Sequence, residues 1–286
     1  MIRAFVNPEA RQGEAALALL AGDPRFEAVA VAPHELPPMM QQEVDRGATR
    51  VLVAGGDGTL AAAARTLLRQ PVELAILPAG TRNHFARNLG IAMELDKAME
   101  HAAAGGARTV DVATINGRVF LNTSSVGAYV SLVHRRSRME SYVGRTPAGL
   151  LAATTLLVRM RSFSLTFNAQ GSERRYRTPL LFVGVGAYEL NLPRIGQRQD
   201  TTDEPALHVV VLREQRRGRM IALGVAMVAA GLRRLAVTDD VDSFMVDRCR
   251  VEMPRRRVHV SADGEIFTAH PPLEYRLERD ALTVVA

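Results

Sequence analysis

One short stretch, VLVAGGDGTL at residues 51–60, restricts the fold more than any other part of the chain. An apolar run typical of a buried strand leads directly into three glycines, and an alanine-rich segment typical of a helix follows. A glycine cluster costs conformational entropy on folding, so it indicates a sharp turn or a close approach to the backbone. A strand, a glycine loop and a helix N-terminus together present backbone N–H groups to an anion. The pattern predicts a phosphate-binding loop at Gly55, Gly56 and Gly58.

Asp57 is an unexpected residue in such a loop. A carboxylate beside bound phosphates repels them unless a cation lies between, so Asp57 indicates Mg²⁺ held through water molecules. Thr59 is placed either to cap the following helix or to contact a phosphate. The alternative is an ordinary strand-to-helix turn with Asp57 as a helix cap. The only lysine, Lys97, lies in a polar helical stretch away from the glycines, which excludes a P-loop.

The first hundred residues alternate between strands and helices, which predicts a parallel sheet covered by helices on both faces. Ligands of such sheets bind at the carboxyl ends of the strands, where both glycine-bearing loops fall. The predicted strands are IRAFVN, EAVAVA, RVLVA and LAILPA, and the predicted helices cover 9–21, 37–46, 59–69, 83–89 and 94–104.

The second half of the chain has a different rhythm of short strands, which predicts an antiparallel sandwich or barrel. Asn116-Gly117 predicts a tight hairpin, and helices are expected over 145–160 and 218–234. The predicted strands are SFSLTF, PLLFVGVG, ALHVVVL, RCRVEM, RRVHVSA, LEYRLE and ALTVVA. We therefore expect a nucleotide-binding α/β domain over 1–108 and a β-rich domain over 109–286. Whether the last strand returns to the first domain is left open.

A second loop, LPAGTRNHFARNLGI at residues 77–91, supports the functional interpretation of the first glycine loop over an ordinary turn. GGDGT followed about twenty residues later by PAGTRNHFARNLGI resembles the diacylglycerol kinase catalytic domain family. That family includes bacterial soluble lipid kinases and sphingosine kinases. VDVATINGRVFLNTSSVGAY (110–129) and SADGEIF (261–267) extend the resemblance into the second half. The resemblance implies an N-terminal α/β domain with a parallel sheet, of the NAD kinase/diacylglycerol kinase-like type. It also implies a C-terminal antiparallel β-sandwich that holds the lipid.

The resemblance also implies an activity and a site. The activity is ATP- and Mg²⁺-dependent phosphorylation of a hydroxyl on a diacylglycerol-like or sphingoid-like lipid, with Asp57 ordering the metal. Glu265 would be the general base, with Asp263 as its structural or metal-linked neighbour. The residues implied to bind the nucleotide are Gly55, Gly56, Asp57, Gly58, Thr59, Leu60, Gly80, Thr81 and Asn83. The residues implied for a further magnesium site are Asp200, Asp203 and the carbonyl of Pro205.

The chain departs from the family pattern at three places. The opening motif is NPEARQG, which keeps Asn7 and Pro8 but lacks the usual serine and lysine, so that Arg11 is the nearest cation. His84 replaces an aspartate of the second loop. A threonine expected near the adenine is absent from APHEL. Altered nucleotide affinity, an unusual substrate and a lipid-binding pseudokinase therefore stay open, and an NAD kinase-like enzyme is the nearest enzyme alternative.

Charge and composition bear on partners and location. The net charge of +6 favours anionic surfaces. The arginine-ended helix expected over 218–234 fits a core helix with solvated charged ends better than a helix on a peripheral membrane surface, and the second alternative stays open. Aromatic residues make up only 5% and no nucleic-acid motif is present, so a specific nucleic-acid partner is not expected. The single cysteine, Cys249, and the lack of a signal-peptide pattern indicate a cytoplasmic protein. The lipid substrate that the resemblance implies adds transient membrane association. A homodimer is left open.

Overall fold

The computed structural model describes residues 1–127, 162–186, 206–213 and 241–286. The chain forms two compact units. The first comprises Met1–Asn122 and Glu278–Ala286, and the second comprises Thr123–Leu277. Within the described ranges, no helix has the length and apolar character needed to cross a membrane. The helices expected over 145–160 and 218–234 lie outside the described residues.

The first unit is built on a parallel sheet with helices between its strands. Its strands are β1 (Ile2–Val6), β2 (Phe26–Ala30), β3 (Arg50–Gly55), β4 (Glu73–Pro78), β5 (Ala107–Ile115), β6 (Arg118–Phe120) and the C-terminal part of β16 (Leu273–Val285). Its helices are α1 (Gly13–Ala21), α2 (Leu36–Asp45), α3 (Asp57–Leu67), α4 (His84–Asn88) and α5 (Leu95–Ala104). The strands lie in the order β2-β1-β3-β4-β16, and β1–β4 pair in parallel. The predicted α/β architecture is confirmed.

The core of the first unit lies against both faces of this sheet. Strands β3 and β4 are buried along almost their whole length, as expected for central parallel strands covered by helices. Phe5, Leu52 and Ile76 are among the largest fully buried side chains. Alanines 61–64 of α3 are all buried, and these small side chains let the helix backbone lie close to its neighbours. This packing fixes the N-terminus of α3 at the carboxyl edge of the sheet.

The hairpin predicted at Asn116-Gly117 joins β5 to β6. Both residues have positive φ angles, 47° and 80°, as a two-residue type I′ turn requires. The hairpin belongs to the first compact unit, and so do the last residues, Glu278–Ala286. The domain boundary predicted at 108/109 falls within β5, whereas the two units divide after Asn122, because β5 and β6 pair with each other.

The second unit contains two antiparallel sheets. The strands of the first are β16, β13 (Arg248–Glu252), β8 (Phe163–Ala169) and β9 (Ser172–Thr178), in that order. The strands of the second are β12 (Val241–Val246), β11 (Leu207–Leu212), β10 (Leu180–Val185), β7 (Thr123–Gly127), β14 (Val258–Ala262) and β15 (Glu265–Ala269), in that order. Strands β9, β12 and β15 were not predicted. LEYRLE and ALTVVA, predicted as two strands, form the single strand β16.

Contacts between the two sheets of the second unit confirm the predicted antiparallel sandwich. Phe167 of β8 stacks on Phe244 of β12 with ring centroids 5.1 Å apart. The hydroxyl of Tyr275, on β16, lies 3.2 Å from the hydroxyl of Ser124, on β7. Tyr275 is fully buried, and this burial raises the pKa of its phenol. The hydrogen bond to Ser124 satisfies a polar group that burial would otherwise penalise.

Cys249 on β13 provides a test of this packing. The side chain is buried, and burial raises the pKa of its thiol to about 12. Only about one molecule in ten thousand therefore carries a thiolate at pH 8. We expect no reaction with a chromogenic disulfide reagent in native buffer and complete reaction of one thiol in denaturant. Rapid stoichiometric reaction of the native protein would contradict the packing of β13.

Candidate active site

Three loops of the first unit meet at the carboxyl edge of its sheet, after β1, β3 and β4. The backbone N–H of Asn7 donates to Ala54 O at 2.9 Å, which ties the first loop to the second. Gln12 N–H donates to Ala79 O at 2.9 Å, and Ala79 N–H donates to Gly55 O at 3.1 Å. Each loop is thus bonded to another through its main chain. The carboxyl edge carries one connected backbone structure instead of three independent turns.

Gly56 and Gly80 are the closest point between the second and third loops. A Cβ added to Gly80 would lie 2.3 Å from Gly56 Cα and 2.6 Å from Asn83 Oδ1. The backbone would have to move to accept it, because the nearest obstacle is main chain. A Cβ on Gly56 would lie 3.3 Å from Gly80 Cα. Glycine is therefore required here by the contact between two backbones, in addition to any ligand that approaches them.

The N-terminus of α3 is free to bind an anion. Its N-cap is Gly56, and no side chain caps it. The first N–H that bonds back into the helix belongs to Leu60, which donates to Gly56 O at 3.0 Å. The preceding N–H groups, of Asp57, Gly58 and Thr59, have no hydrogen-bond partner within the described part of the chain. A helix end with free donors and a positive dipole is a suitable site for phosphate.

Asp57 joins this helix to α4. Its Oδ1 accepts the N–H of Phe85 at 2.9 Å, and its Oδ2 accepts the N–H of His84 at 3.1 Å. Asp57 therefore does act as a helix cap, but of α4 in the facing loop instead of its own helix. Each carboxylate oxygen has two lone-pair directions, so both oxygens can still accept from water molecules. That arrangement is compatible with a hydrated cation held through its waters.

Thr59 and Leu60 are buried beneath the loop surface. Thr59 is 7% exposed, and its hydroxyl accepts a hydrogen bond from Asn7 Nδ2 at 3.1 Å. Thr59 does not cap α3, because no side chain makes a capping hydrogen bond at the N-terminus of this helix. Asn7 Oδ1 accepts the N–H of Glu9 at 3.0 Å, so the Asn7 side chain holds both loops. Leu60 has no exposed area and lies in the core, which leaves only its backbone near the site.

In the third loop, Thr81 and Asn83 have opposite environments. Thr81 is exposed, and its hydroxyl has no partner among the residues that the structure describes. Asn83 is 5% exposed and has a left-handed backbone with φ of 51°. Its Nδ2 donates to Pro78 O and Gly80 O, both at 3.1 Å, while its buried Oδ1 has no partner. Asn83 shapes the loop, and Thr81 is the side chain available to a ligand.

The two predicted carboxylates of the second unit lie at the turn between β14 and β15. Asp263 and Gly264 have φ angles of 48° and 88°, which form a two-residue turn. Asp263 N–H donates to Thr123 O at 2.8 Å, and Thr123 N–H donates to Asp263 Oδ1 at 3.1 Å. Asp263 is half-buried, whereas Glu265 is exposed. The turn is therefore anchored by Asp263 and presents Glu265.

The remaining predicted residues are the ligands of the further magnesium site and the departures from the family pattern. Asp200, Asp203 and Pro205 lie outside the described residues. Among the residues that are described, no three metal-ligating side chains come together. Arg11 and His84 are exposed, and neither side chain has a partner within the described ranges. Sequence reasoning missed the side-chain role of Asn7, although an asparagine directly after a strand at the ligand edge was a usable signal.

Known proteins resemble this chain in sequence and in fold. Residues 2–115 match the family model of the diacylglycerol kinase catalytic domain. A "Probable lipid kinase YegS-like" of Pseudomonas fluorescens (strain Pf0-1) is 29% identical over 151 residues, which are 52% of this chain and 48% of the relative. A "Probable lipid kinase YegS" of Escherichia fergusonii is 40% identical over 86 residues, which are 28% of this chain and 29% of the relative.

Solved structures extend the likeness in fold beyond this matched segment. A crystal structure of a diacylglycerol kinase from Bacillus anthracis str. Sterne has a TM-score of 0.69 and 20% sequence identity. The alignment covers 99% of this chain and 96% of that one. At this identity the likeness establishes the fold alone. The matched sequence spans about half the length, or less, of the relatives named above.

Proposed function

We propose that the protein is a lipid kinase, because residues 2–115 match the family model of the diacylglycerol kinase catalytic domain. It transfers the γ-phosphoryl group of ATP to a hydroxyl of a diacylglycerol-like or sphingoid-like lipid, at a peripheral membrane surface. The observation that carries this proposal is the uncapped N-terminus of α3, joined through Asp57 to the facing loop. Phosphoryl transfer depends mainly on positioning and charge neutralisation. The free N–H groups of α3 support the first, and a cation held by Asp57 would supply the second.

The first unit would hold the nucleotide. The free N–H groups at the start of α3 would bind phosphate oxygens, and the exposed Thr81 hydroxyl would add a contact from the third loop. Arg11 is an exposed cation without an ion-pair partner in the described part of the chain, and it is the nearest substitute for the missing lysine. Asp57 would hold Mg²⁺ through water. The ion would supply charge neutralisation on the phosphates.

The second unit would contribute the general base. In the reaction, the lipid hydroxyl oxygen forms a bond to the γ-phosphorus as the bond to the β-phosphate oxygen breaks. ADP leaves, and the hydroxyl proton passes to the Glu265 carboxylate. Glu265 is suited to this role because its side chain is exposed, while Asp263 is half-buried and its Oδ1 anchors the turn by accepting Thr123 N–H.

The test of the proposal is ATP consumption with Mg²⁺ and a panel of lipids in mixed micelles. Diacylglycerol, monoacylglycerol, ceramide and sphingosine would be compared with micelles that contain no acceptor lipid. We expect turnover that depends on one class of lipid hydroxyl. ATP binding without turnover on any of these lipids would point to another acceptor. Lipid binding without ATP binding would favour a pseudokinase, which the exposed His84 in place of a family aspartate gives reason to test.

Glu265→Gln and Asp263→Asn separate the two carboxylates. We expect Glu265→Gln to lower lipid-dependent turnover by about 100-fold or more, because removal of a general base costs that much. Asp263→Asn keeps an acceptor for Thr123 N–H, so we expect its turnover to stay within about tenfold of wild type. The reverse ranking of the two variants in steady-state assays would assign the base to Asp263.

A further inference from the structure

Three consecutive arginines lie at one end of the second unit, in the segment that connects β13 to β14. Arg255, Arg256 and Arg257 are all exposed. None of the three has an ion-pair or hydrogen-bond partner among the described residues. Adjacent like charges that no acid compensates repel one another and do not stabilise the fold. Their position is therefore better explained by a partner than by a contribution to stability.

The strand register brings two more arginines beside this segment. Glu252 of β13 pairs with Thr166 of β8, and Thr166 pairs with Arg175 of β9. One step further along the same face of β9 is Arg177. Both arginines are exposed, and the side chain of Arg175 is 85% exposed. Together with residues 255–257 they form what we call the basic patch, defined as Arg175, Arg177, Arg255, Arg256 and Arg257.

An open groove of about 600 Å³ lies between β9 and the start of the connecting segment, and Arg175 and Arg177 are the members of the basic patch that line it. Met253 and Pro254 line it on the side of the connecting segment, and Arg175, Tyr176 and Arg177 line it on the side of β9. Apolar and cationic side chains thus share one concave, solvent-accessible surface. That combination suits the boundary between lipid headgroups and acyl chains, where both kinds of side chain find contacts.

Nearby acids do not neutralise the connecting segment. Glu173 lies 3.4 Å from Arg175 on β9, whereas the arginines at 255–257 have no acidic partner in the described part of the chain. Glu252 lines the groove but is paired with Arg250 at 3.0 Å, outside the patch. Both ion pairs are exposed, so water and salt weaken them. The surface therefore remains cationic, and an anionic partner would gain from it.

We propose that the basic patch docks the protein on an anionic phospholipid bilayer, with arginines on headgroup phosphates and Met253 at the acyl boundary. The guanidinium group binds phosphate oxygens in pairs and is weakly hydrated, which suits this contact. Tyr176 is the one aromatic side chain lining the groove, and a single ring does not form a stacking platform for bases. The bilayer is therefore favoured over nucleic acid. This inference rests on the proposed lipid kinase function, which requires access to a membrane.

Vesicle co-sedimentation of the full chain tests the proposal without any enzymatic readout. Vesicles of phosphatidylcholine with about 30% phosphatidylglycerol would be compared with phosphatidylcholine alone, at about 0.1 M salt. We expect wild type to bind only the anionic vesicles and to be released at high salt. Arg255→Gln/Arg256→Gln/Arg257→Gln should bind about 100-fold more weakly, since each basic residue near an anionic surface contributes severalfold. The triple lysine variant should retain most of the binding.

The matched control removes the same number of charges elsewhere. Arg46, Arg69 and Arg276 are exposed arginines that are each paired with a glutamate. Arg46→Gln/Arg69→Gln/Arg276→Gln should bind vesicles nearly as well as wild type. An equal loss of vesicle binding in both triple variants would mean that binding depends on net charge alone. That result would overturn the assignment of the basic patch as the docking surface. Equal affinity of wild type for a DNA duplex and for anionic vesicles would overturn the choice of a bilayer.

The two proposals fail in distinguishable ways. In neutral mixed micelles the patch variant should turn over ATP like wild type, because docking on an anionic surface is not needed there. Vesicle binding by wild type with neither ATP binding nor turnover on any lipid would reject the kinase and leave the docking surface standing. Normal micelle turnover with unaltered vesicle binding in the patch variant would reject the docking surface and leave the kinase standing.

Discussion

Asp57→Asn is expected to lower lipid-dependent ATP turnover by about 100-fold or more while the protein stays folded. The substitution removes the negative charge that would order a hydrated cation beside the phosphates. It keeps one amide oxygen, which can still accept from either Phe85 N–H or His84 N–H, so the two loops stay in contact. The loss should appear in turnover at saturating ATP and Mg²⁺, with a small change in melting temperature.

Two other variants make this result interpretable. Asp96 is an exposed aspartate in the first turn of α5, in the same unit, and Asp96→Asn should leave turnover unchanged. Asp57→Ala removes both accepted hydrogen bonds, so it should also destabilise the unit by about 1–2 kcal/mol, the usual cost of losing a helix cap. If Asp57→Asn turned over ATP within a few-fold of wild type, the role of Asp57 would be restricted to joining the loops.

The helices and strands of the first unit could be predicted from the sequence, because its apolar runs coincide with the segments that are buried in the fold. RVLVA and LAILPA are continuous apolar runs, and both are central strands buried on both faces. Helix and strand bounds differ by only a few residues from the predicted ones, except that α1 begins at Gly13 instead of residue 9. That difference arises because residues 7–12 form the loop that contacts the other two loops, through Asn7 and Gln12.

Two of the missed strands, β9 and β15, lack a clear hydrophobic signal. β9 has the sequence SERRYRT, and five of its seven residues are exposed, so no apolar alternation marks it. β15 begins at Glu265, directly after the Asp-Gly turn, and has one fully buried residue. Such strands form because a neighbour offers hydrogen bonds, as β8 does for β9. Pairing of this kind depends on tertiary structure and cannot be obtained from local sequence.

The sequence indicated only one of the two reasons why the site contains glycines. The sequence indicated that Gly55, Gly56 and Gly58 let a phosphate approach the backbone. The structure adds that Gly56 and Gly80, twenty-four positions apart, approach each other. Asp57 is 27 and 28 positions away from the two N–H groups of α4 that it accepts, so its acceptor role is not visible in the local sequence either. A contact between two loops can be predicted only when the order of the preceding strands in the sheet is known. The local sequence does not give that order.

The close approach of Gly56 and Gly80 leads to the largest expected effect on stability. Gly80→Ala would put a Cβ 2.3 Å from Gly56 Cα. The obstacle is backbone, and the N–H groups of Ala79 and Gly80 hold the two loops together by donating to Gly55 O. We expect the free energy of unfolding to fall by about 3 kcal/mol or more, because an overpacked site without a flexible neighbour cannot relax. For a chain of this size that corresponds to a melting temperature lower by about 6 °C or more.

Gly106→Ala is the matched control for this substitution. A Cβ on Gly106 would meet no atom within 4 Å, and its backbone is not in the left-handed region. Both substitutions add the same methyl group and remove the same freedom from the unfolded chain. Gly106→Ala should therefore melt within about 2 °C of wild type, a shift that a small surface change produces. Because the two variants share their effect on the unfolded state, the difference between their melting temperatures measures the contact itself. Equal melting temperatures would mean that the two loops separate readily, and that the phosphate site is assembled by its ligand instead of by the fold.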